Sequence, residues 1–453
     1  MKQNRLPARR VPCLTRNGGR RNLGSLFAAL IVAPLALTTA ACADTATITL
    51  GEFRSVQAGA TPGATPVVAI DHDGRRAAAW VSAPDGGSNG TLFISIADAP
   101  PVALTDPLGP ISPHGEAPPK LAWDADGNLH TMYIVSQIVP GRRFPVSALR
   151  LASSLDGGRT WGNPVTITDD GDNDFGSHNF HALHTSADGS MYAAWLDGRT
   201  GTSGSYMSRS VDGGRTWSPN VRIADSESCP CCRTAIATAP DGTVYIAWRI
   251  VMPGNIRDIV VARSSNAGAS WSEPVRVHAD DWEFDACPHA GPSLQVDSEG
   301  RLHAAWWTGK EGIAGVWYAR SDDNAQSFTS PLPLGVAEFS RPAHVQLALA
   351  GGSRVVAVWD DGTLRVPRVI MRVSHDNGES FGPATPLSED GVAATFPVVG
   401  VFGDSLSVLW AQQGAASLEH AEHSRPDMKD PSATMGLPEV GASRVMLREG
   451  VIR

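Results

Sequence analysis

The chain has 453 residues, of which 18% are charged, and it contains 46 glycines and 13 tryptophans. This composition is typical of a compact all-β protein with tight turns. The formal net charge is −9, and loss of the seven cations among residues 1–41 leaves −16. So acidic a protein is a poor partner for nucleic acid, which excludes that function class.

Residues 1–41 have the pattern of an export signal: seven cations, no acid, and an apolar stretch from Leu26 to Leu37 that is too short for a permanent membrane span. The sequence Thr39-Ala40-Ala41-Cys42 resembles a bacterial lipobox, in which Cys42 receives the lipid. We therefore expect an exported lipoprotein, periplasmic or attached to the outer membrane. Cleavage without lipidation stays open as an alternative, as does the choice between general secretion and the twin-arginine route.

An aromatic residue ends a similar apolar run every 51 to 62 residues. A period of about 50 residues with strand-like content predicts a β-propeller with one four-stranded blade per repeat. We expect the propeller over residues 45–425, with seven blades preferred and six as the alternative. Residues 391–425 would supply three strands of the last blade, Thr47–Leu50 the fourth, and residues 426–453 an irregular tail. The repeating aromatic residues are Trp80, Tyr133, Trp195, Trp248, Trp306, Trp359 and Trp410.

A second repeat, out of phase with the first, reads Ser-x-Asp-x-Gly-x-Thr-Trp from Ser154 to Trp161 and from Ser210 to Trp217, with three weaker copies. Its acidic side chain accepts backbone N–H bonds in a tight turn. The motif resembles the Asp-box, or BNR repeat, of sialidase-like propellers. We assign it a structural role on the face opposite the candidate site, at Asp156, Asp212, Asn266, Asp323 and Asp376.

The connections that enter each innermost strand lie around the propeller axis. Counting back 17 or 19 residues from each repeating aromatic residue gives equivalent positions in all seven blades. In four neighbouring blades, 2 to 5, these positions offer His, Cys and Glu side chains, which predicts one cluster at the axis. Its members are His114, Glu116, His178, Cys229, Cys231, Cys287 and His289, with Cys232, Arg233, His181, Arg341 and His344 within a few residues.

Thiolate and imidazole groups together suit zinc or copper, and copper is the more interesting ion outside the cytoplasm. The expected ligands are Cys231, Cys287 and His289, completed by His178 or Cys232. Two other interpretations stay open. Cys231 or Cys232 forms a disulfide with Cys287, because an exported protein meets an oxidising compartment, or one of these cysteines is a reactive thiol.

The resemblance to sialidases implies three arginines that bind a sugar carboxylate, and a tyrosine nucleophile. Arg54, Arg233 and Arg341 are the candidate arginines, and Glu116 and Asp285 are the available carboxylates. None of the five tyrosines falls in an axis-facing connection, so covalent catalysis in the sialidase manner lacks its nucleophile. We expect a binding protein, for a metal ion or an anionic small molecule. The alternatives are a sialidase or other glycoside hydrolase, and a scaffold that docks a partner protein on a basic rim. That rim comprises Arg142, Arg143, Arg199, Arg257, Lys310, Arg365 and Arg368.

Overall fold

A computed structural model describes residues 47–57, 63–83, 90–140, 145–170, 175–413 and 443–453. Within these ranges the chain forms 29 β-strands and no α-helix. The part of the chain that the structure describes therefore contains no helix of the length and apolarity that a membrane crossing needs. The expected signal segment and Cys42 lie outside the described residues, so both stay predictions.

The strands pair antiparallel into seven sheets, one for each blade. Blade 1 comprises β2 (Ala64–Ile70), β3 (Arg76–Ser82), β4 (Thr91–Ile96) and β5 (Val102–Leu104). Blade 2 comprises β6 (Lys120–Trp123), β7 (Leu129–Gln137), β8 (Val146–Ser154) and β9 (Val165–Thr166). Blade 3 comprises β10 (His178–Thr185), β11 (Met191–Asp197), β12 (Gly204–Ser210) and β13 (Val221–Arg222).

Blade 4 has a split innermost strand, β14 (Glu227–Ser228) and β15 (Ala235–Thr238), followed by β16 (Val244–Val251), β17 (Ile259–Ser264) and β18 (Val275–Arg276). Blade 5 comprises β19 (Ser293–Val296), β20 (Leu302–Thr308), β21 (Ala314–Ser321) and β22 (Leu332–Ala337). Blade 6 comprises β23 (Gln346–Ala350), β24 (Arg354–Asp360), β25 (Val369–Ser374) and β26 (Thr385–Pro386).

Blade 7 joins the two ends of the chain, which confirms closure by an N-terminal strand. From the axis outward it consists of β27 (Ala394–Phe402), β28 (Ser405–Gln413), β29 (Ser443–Ile452) and β1 (Ile48–Ser55). The innermost strands contact one another from blade to blade, and β27 contacts β2 to complete a ring of seven. All-β architecture and the preferred count of seven blades are thus confirmed.

The prediction of an irregular tail over 426–453 is wrong for its last residues. Residues 443–452 form β29, the third strand of blade 7, which pairs with β28 on one side and β1 on the other. The predicted third strand within 391–425 is accordingly absent from the described part of that segment, where β28 ends at Gln413. Alternating buried side chains such as Val445 and Leu447 explain why these residues join the sheet.

The repeating aromatic residues lie in the second strand of every blade, and each is at most 2% exposed. A large aromatic side chain buries roughly 200 Å², which at about 25 cal/mol per Å² contributes roughly 5 kcal/mol before the entropy of ordering is counted. The repeat therefore marks the packing centre of each blade. This burial is why the aromatic period alone identified the architecture.

The turns between third and fourth strands of blades 2 to 6 share one hydrogen-bond pattern, as Asp212 illustrates. Its carboxylate accepts bonds from the backbone N–H groups of Arg215 and Thr216 and from the hydroxyls of Ser210 and Thr216. Although burial opposes the shift, these bonds lower the pKa of Asp212 to about 2. Equivalent bonds surround Asp156, Asn266, Asp323 and Asp376, all of them within the turn itself.

Candidate metal centre and the neighbouring charged hub

Blade 4 departs from the other blades where its innermost strand is interrupted. β14 pairs with the end of β16, and β15 pairs with its beginning, so residues 229–234 between them leave the sheet. The N–H of Cys229 donates to the carbonyl of Arg249, and the N–H of Thr234 donates to the carbonyl of Phe180 in blade 3. These two anchors hold Cys229, Cys231 and Cys232 at the axis-facing edge of the blade.

A second segment, residues 287–291 of blade 5, packs directly against the first. A Cβ atom on Gly291 would lie 2.2 Å from the carbonyl oxygen of Arg233, so only glycine allows the two backbones to approach this closely. The buried Arg249 side chain donates to the carbonyls of Ala290 and Trp307. Together these contacts place Cys287 and His289 beside the cysteines of blade 4.

The cysteine sulfurs lie close together but are not bonded. Sγ of Cys229 is 3.6 Å from Sγ of Cys231 and 3.6 Å from Sγ of Cys232. The ligand atoms of Cys229, Cys231 and Cys232 lie within 4.8 Å of one another, and so do those of Cys231, Cys287 and His289. We call these five residues the thiol–imidazole cluster. It unites the three expected ligands with Cys232, one of the two residues expected to complete the set.

A predicted disulfide from Cys231 or Cys232 to Cys287 is not present, because all four described cysteines are free. A disulfide needs an S–S distance of about 2.05 Å. Sulfurs bound to one metal ion at about 2.3 Å stand about 3.8 Å apart in a tetrahedron and about 4.0 Å apart in a trigonal plane. The observed separations of 3.6 Å are therefore too long for a disulfide and lie close to those of sulfurs that share one metal ion.

A guanidinium group compensates negative charge in the cluster. Nη1 of Arg257 donates to Sγ of Cys229 at 3.0 Å. Thiol hydrogen bonds from Cys231 and Cys232, together with Arg257 and Arg249, hold the pKa of the Cys229 thiol well below its usual range. Because a thiolate rather than a thiol binds metal, these contacts favour the form of Cys229 that a metal ion would require.

A charged group that we call the hub lies next to the cluster and joins three blades: it comprises Glu116, Arg233, His344 and Asp360. Nε2 of His344 lies 2.6 Å from Oε1 of Glu116, and its Nδ1 lies 2.6 Å from Oδ2 of Asp360. Nη2 of Arg233 lies 3.7 Å from Oε2 of Glu116. All four side chains are at least nine-tenths buried.

The hub holds its imidazole in the charged form. Burial alone would lower the pKa of His344, but the carboxylates of Asp360 and Glu116 raise it to about 9. Burial likewise opposes ionisation of Glu116, yet His344 and Arg233 lower its pKa below the usual value. The hub is thus an internal ion network whose members depend on one another.

Further basic side chains surround Glu116. The half-buried His114 interacts electrostatically with Glu116 and His289, and burial lowers its pKa. Burial also lowers the pKa of Lys120 well below its usual value, with Arg233 adding to the effect. His181 is fully buried and neither ring nitrogen has a hydrogen-bond partner among the described residues. Burial thus disfavours the cationic forms of the imidazole and amine groups that interact with Glu116.

Other candidate residues are placed away from the hub. Nε2 of His178 lies 2.8 Å from Asp170, and these two residues group with Asp197, which is paired with Arg199. His178 is therefore not one of the residues that group with the cysteines. Arg54 is in the outermost strand of blade 7, where it pairs with Asp98. An outermost strand cannot reach the axis, so Arg54 is not a partner of Arg233.

The remaining sialidase-type candidates do not assemble either. The Arg341 guanidinium donates to the backbone carbonyls of Leu364 and Arg365, and Asp285 is exposed and accepts a bond from Asn255. The five tyrosines have contacts elsewhere. Tyr133 bonds Asp106, Tyr245 bonds Asn324 and Tyr318 bonds His303, while Tyr192 and Tyr206 lie under Arg209 and Arg199.

Two residues that complete these sites were not among the predicted site residues. Arg257 was assigned to a basic rim, although its side chain turns inward to Cys229. Asp360 directly follows Trp359 at the end of β24, and an acid at the buried end of a second strand was the available signal. Both contacts depend on how loops from different parts of the chain meet, which periodicity does not specify.

No protein-family profile and no curated protein matches the chain. Solved structures do resemble it. A Dyadobacter fermentans protein of unknown function has 12% identity over 90% of this chain and 99% of its own, with a TM-score of 0.52. A polysaccharide lyase, an ulvan lyase bound to -[GlcA(1-4)Rha3S]-, is 14% identical over 79% of this chain and 93% of its own, with a TM-score of 0.53. The chain shares their propeller fold. A Hadza microbial sialidase is also similar, with 17% identity over 73% of both chains and a TM-score of 0.46.

Proposed function

We propose that this chain is an exported, lipid-anchored propeller of the Asp-box type that binds a soft metal ion, copper or zinc, through the thiol–imidazole cluster. The observation that carries the proposal is the convergence of four sulfurs and one imidazole from two neighbouring blades, with sulfurs 3.6 Å apart and unbonded. Soft thiolate ligands select Cu(I) and Zn(II) over Mg²⁺ or Ca²⁺. The propeller supplies a rigid frame that fixes the ligands before the ion arrives.

The chemistry of the surroundings supports the same function. Three of the cysteines are buried, while Cys287 is exposed and gives the ion a path from solvent. The Nδ1 atom of His289 is buried without a hydrogen-bond partner among the described residues, so this imidazole lacks the bonds of a purely structural histidine. Arg257 reduces the cost of bringing thiolates together in a buried site.

Metal analysis of the purified chain tests this proposal. After loading with Cu(I) or Zn(II) under reducing conditions and desalting, wild type is expected to retain stoichiometric metal, and Cys231→Ser to retain none. At a free metal concentration about 100 times its Kd, the free energy of unfolding should rise by about 2.7 kcal/mol. His184→Gln, which changes a histidine of strand β10 outside the cluster, is the matched control and should bind metal normally. Wild type without either ion after loading would refute the proposal.

A second candidate function is action on an acidic glycan at the hub. Glu116 Oε2 and Arg233 Nη2 are buried without hydrogen-bond partners among the described residues, and half-buried histidines lie around them. Arg233 suits a sugar carboxylate because its guanidinium matches that group in shape and charge. The fold neighbours include a lyase whose ligand contains glucuronate. The deep burial of Glu116 ranks this candidate below metal binding.

Turnover measurements decide this second candidate. The purified chain is incubated with a fluorogenic sialoside and, separately, with a uronate-containing polysaccharide, and fluorophore, reducing ends and unsaturated products are recorded. Activity that disappears in Glu116→Gln but persists in Glu311→Gln, an exposed residue in the loop between β20 and β21, would support it. If wild type releases no product from either substrate, the hub has no such activity.

A further inference from the structure

The thiol–imidazole cluster divides into two sets of ligands that share one residue. Cys229, Cys231 and Cys232 form one set, and Cys231, Cys287 and His289 form the other. The five ligand atoms do not form a single group within 4.8 Å, so Cys287 stands apart from at least one of Cys229 and Cys232. Four sulfurs around one tetrahedral ion would all lie about 3.8 Å apart. The arrangement therefore does not match a single ion bound by all four cysteines.

We infer that the cluster binds two Cu(I) ions bridged by the Cys231 thiolate, an inference that rests on the proposed metal-binding function. One ion is held by Cys229, Cys231 and Cys232, and the other by Cys231, Cys287 and His289. Each ion then has three ligands. A structural zinc site normally has four, whereas Cu(I) is the ion that soft thiolates select and that accepts three of them.

Charge balance agrees with two monovalent ions. Four thiolates carry four negative charges, and two Cu(I) ions together with two guanidinium groups carry four positive ones. The guanidinium groups are Arg257, which donates to Cys229 Sγ at 3.0 Å, and the fully buried Arg249, which interacts electrostatically with the same sulfur. A buried site of this kind is stable only when its charges are paired.

The two sites differ in access, which predicts an order of filling. Cys229 and Cys232 are buried, so the first set is closed. Cys287 is exposed and His289 is half-buried, so the second set is open to solvent. The ion in the closed first set should therefore be bound more stably. The ion in the open second set should be the exchangeable one. An exchangeable Cu(I) is what a partner protein or a small thiol would take up or deliver.

Titration of the full chain with Cu(I) against a competing Cu(I) chelator, under anaerobic reducing conditions, tests the inference. Wild type is expected to bind two ions per chain. Cys232→Ser and Cys287→Ser should each bind one, Cys231→Ser none, and His184→Gln two. X-ray absorption of the doubly loaded protein should contain a short copper–copper distance, which should disappear in Cys287→Ser.

The outcomes separate this inference from the proposed function. Saturation of wild type at one ion, or one ion retained by Cys231→Ser, overturns the bridged pair while leaving metal binding intact. Absence of any bound ion in wild type overturns both. Circular dichroism of each variant establishes folding, and if Cys231→Ser does not fold, the single-ion stoichiometries of Cys232→Ser and Cys287→Ser decide the question.

Discussion

Glu116→Ala is expected to lower the free energy of unfolding by about 3–5 kcal/mol, because it leaves buried charges without their partner. In the hub, Glu116 of blade 2 contacts His344 of blade 6 and Arg233 of blade 4. Glu116 is the only acidic partner of Arg233 among the described ion pairs, so the alanine variant leaves this buried guanidinium unpaired. Chemical denaturation of wild type and variant measures the difference. Glu311→Ala, at an exposed position, is the control and should change stability by less than about 0.5 kcal/mol.

The same substitution should change the dependence of stability on pH. The folded pKa of His344 is about 9, above the unfolded value of about 6.5, so its contribution is complete below pH 6.5 and is lost as the pH rises through 9. Wild type should therefore lose stability between these values. In Glu116→Ala one of the two carboxylates that raise the pKa is gone, so the loss should be smaller and lie at lower pH. A steeper loss in the variant would contradict the proposed ion network.

The fold could be predicted because its signals are local and repeated. Each repeating aromatic residue, such as Trp195, is buried in the core of one blade. The same packing requirement therefore recurs seven times along the sequence. The third strand of the last blade could not be predicted in the same way. β29 has no Asp-box turn after it, unlike the third strands of blades 2 to 6, and its pairing with β1 joins residues about 400 positions apart. Such a non-local pairing carries little local sequence signal.

The candidate site could be predicted only in part, for a related physical reason. Counting from the aromatic residues placed Cys231, Cys287 and His289 on neighbouring loops, and the structure brings them together. Counting could not show that residues 229–234 interrupt the innermost strand of blade 4, or that His178 pairs with Asp170. These outcomes depend on side-chain partners in loops of irregular length. A periodic pattern specifies where a strand lies but not which charges meet beside it.

The second large effect is expected in β29, the strand that joins β28 to the N-terminal strand β1. Leu447→Asp in β29 is expected to lower the free energy of unfolding by about 4 kcal/mol or more. Leu447 is 1% exposed and packs near Trp80 and Leu409 between blades 7 and 1, where a carboxylate finds no described partner. Because β29 lies between β28 and β1, its loss also leaves β1 without a paired strand and separates the N-terminal strand from blade 7. Denaturant midpoints and the yield of soluble protein measure the effect.

A matched change on the same strand separates closure from a general intolerance to acidic substitutions. Arg444 is exposed and pairs in register with Gln412, so Arg444→Asp introduces the same side chain without burying it. We expect this variant to remain within about 0.5 kcal/mol of wild type. Equal stability of Leu447→Asp and wild type would mean that β29 does not close the propeller. Each blade of the ring is held by its two neighbours, so disruption of one junction destabilises both flanking blades. The decrease in the free energy of unfolding should therefore exceed that caused by the same substitution at a leucine buried within a single sheet.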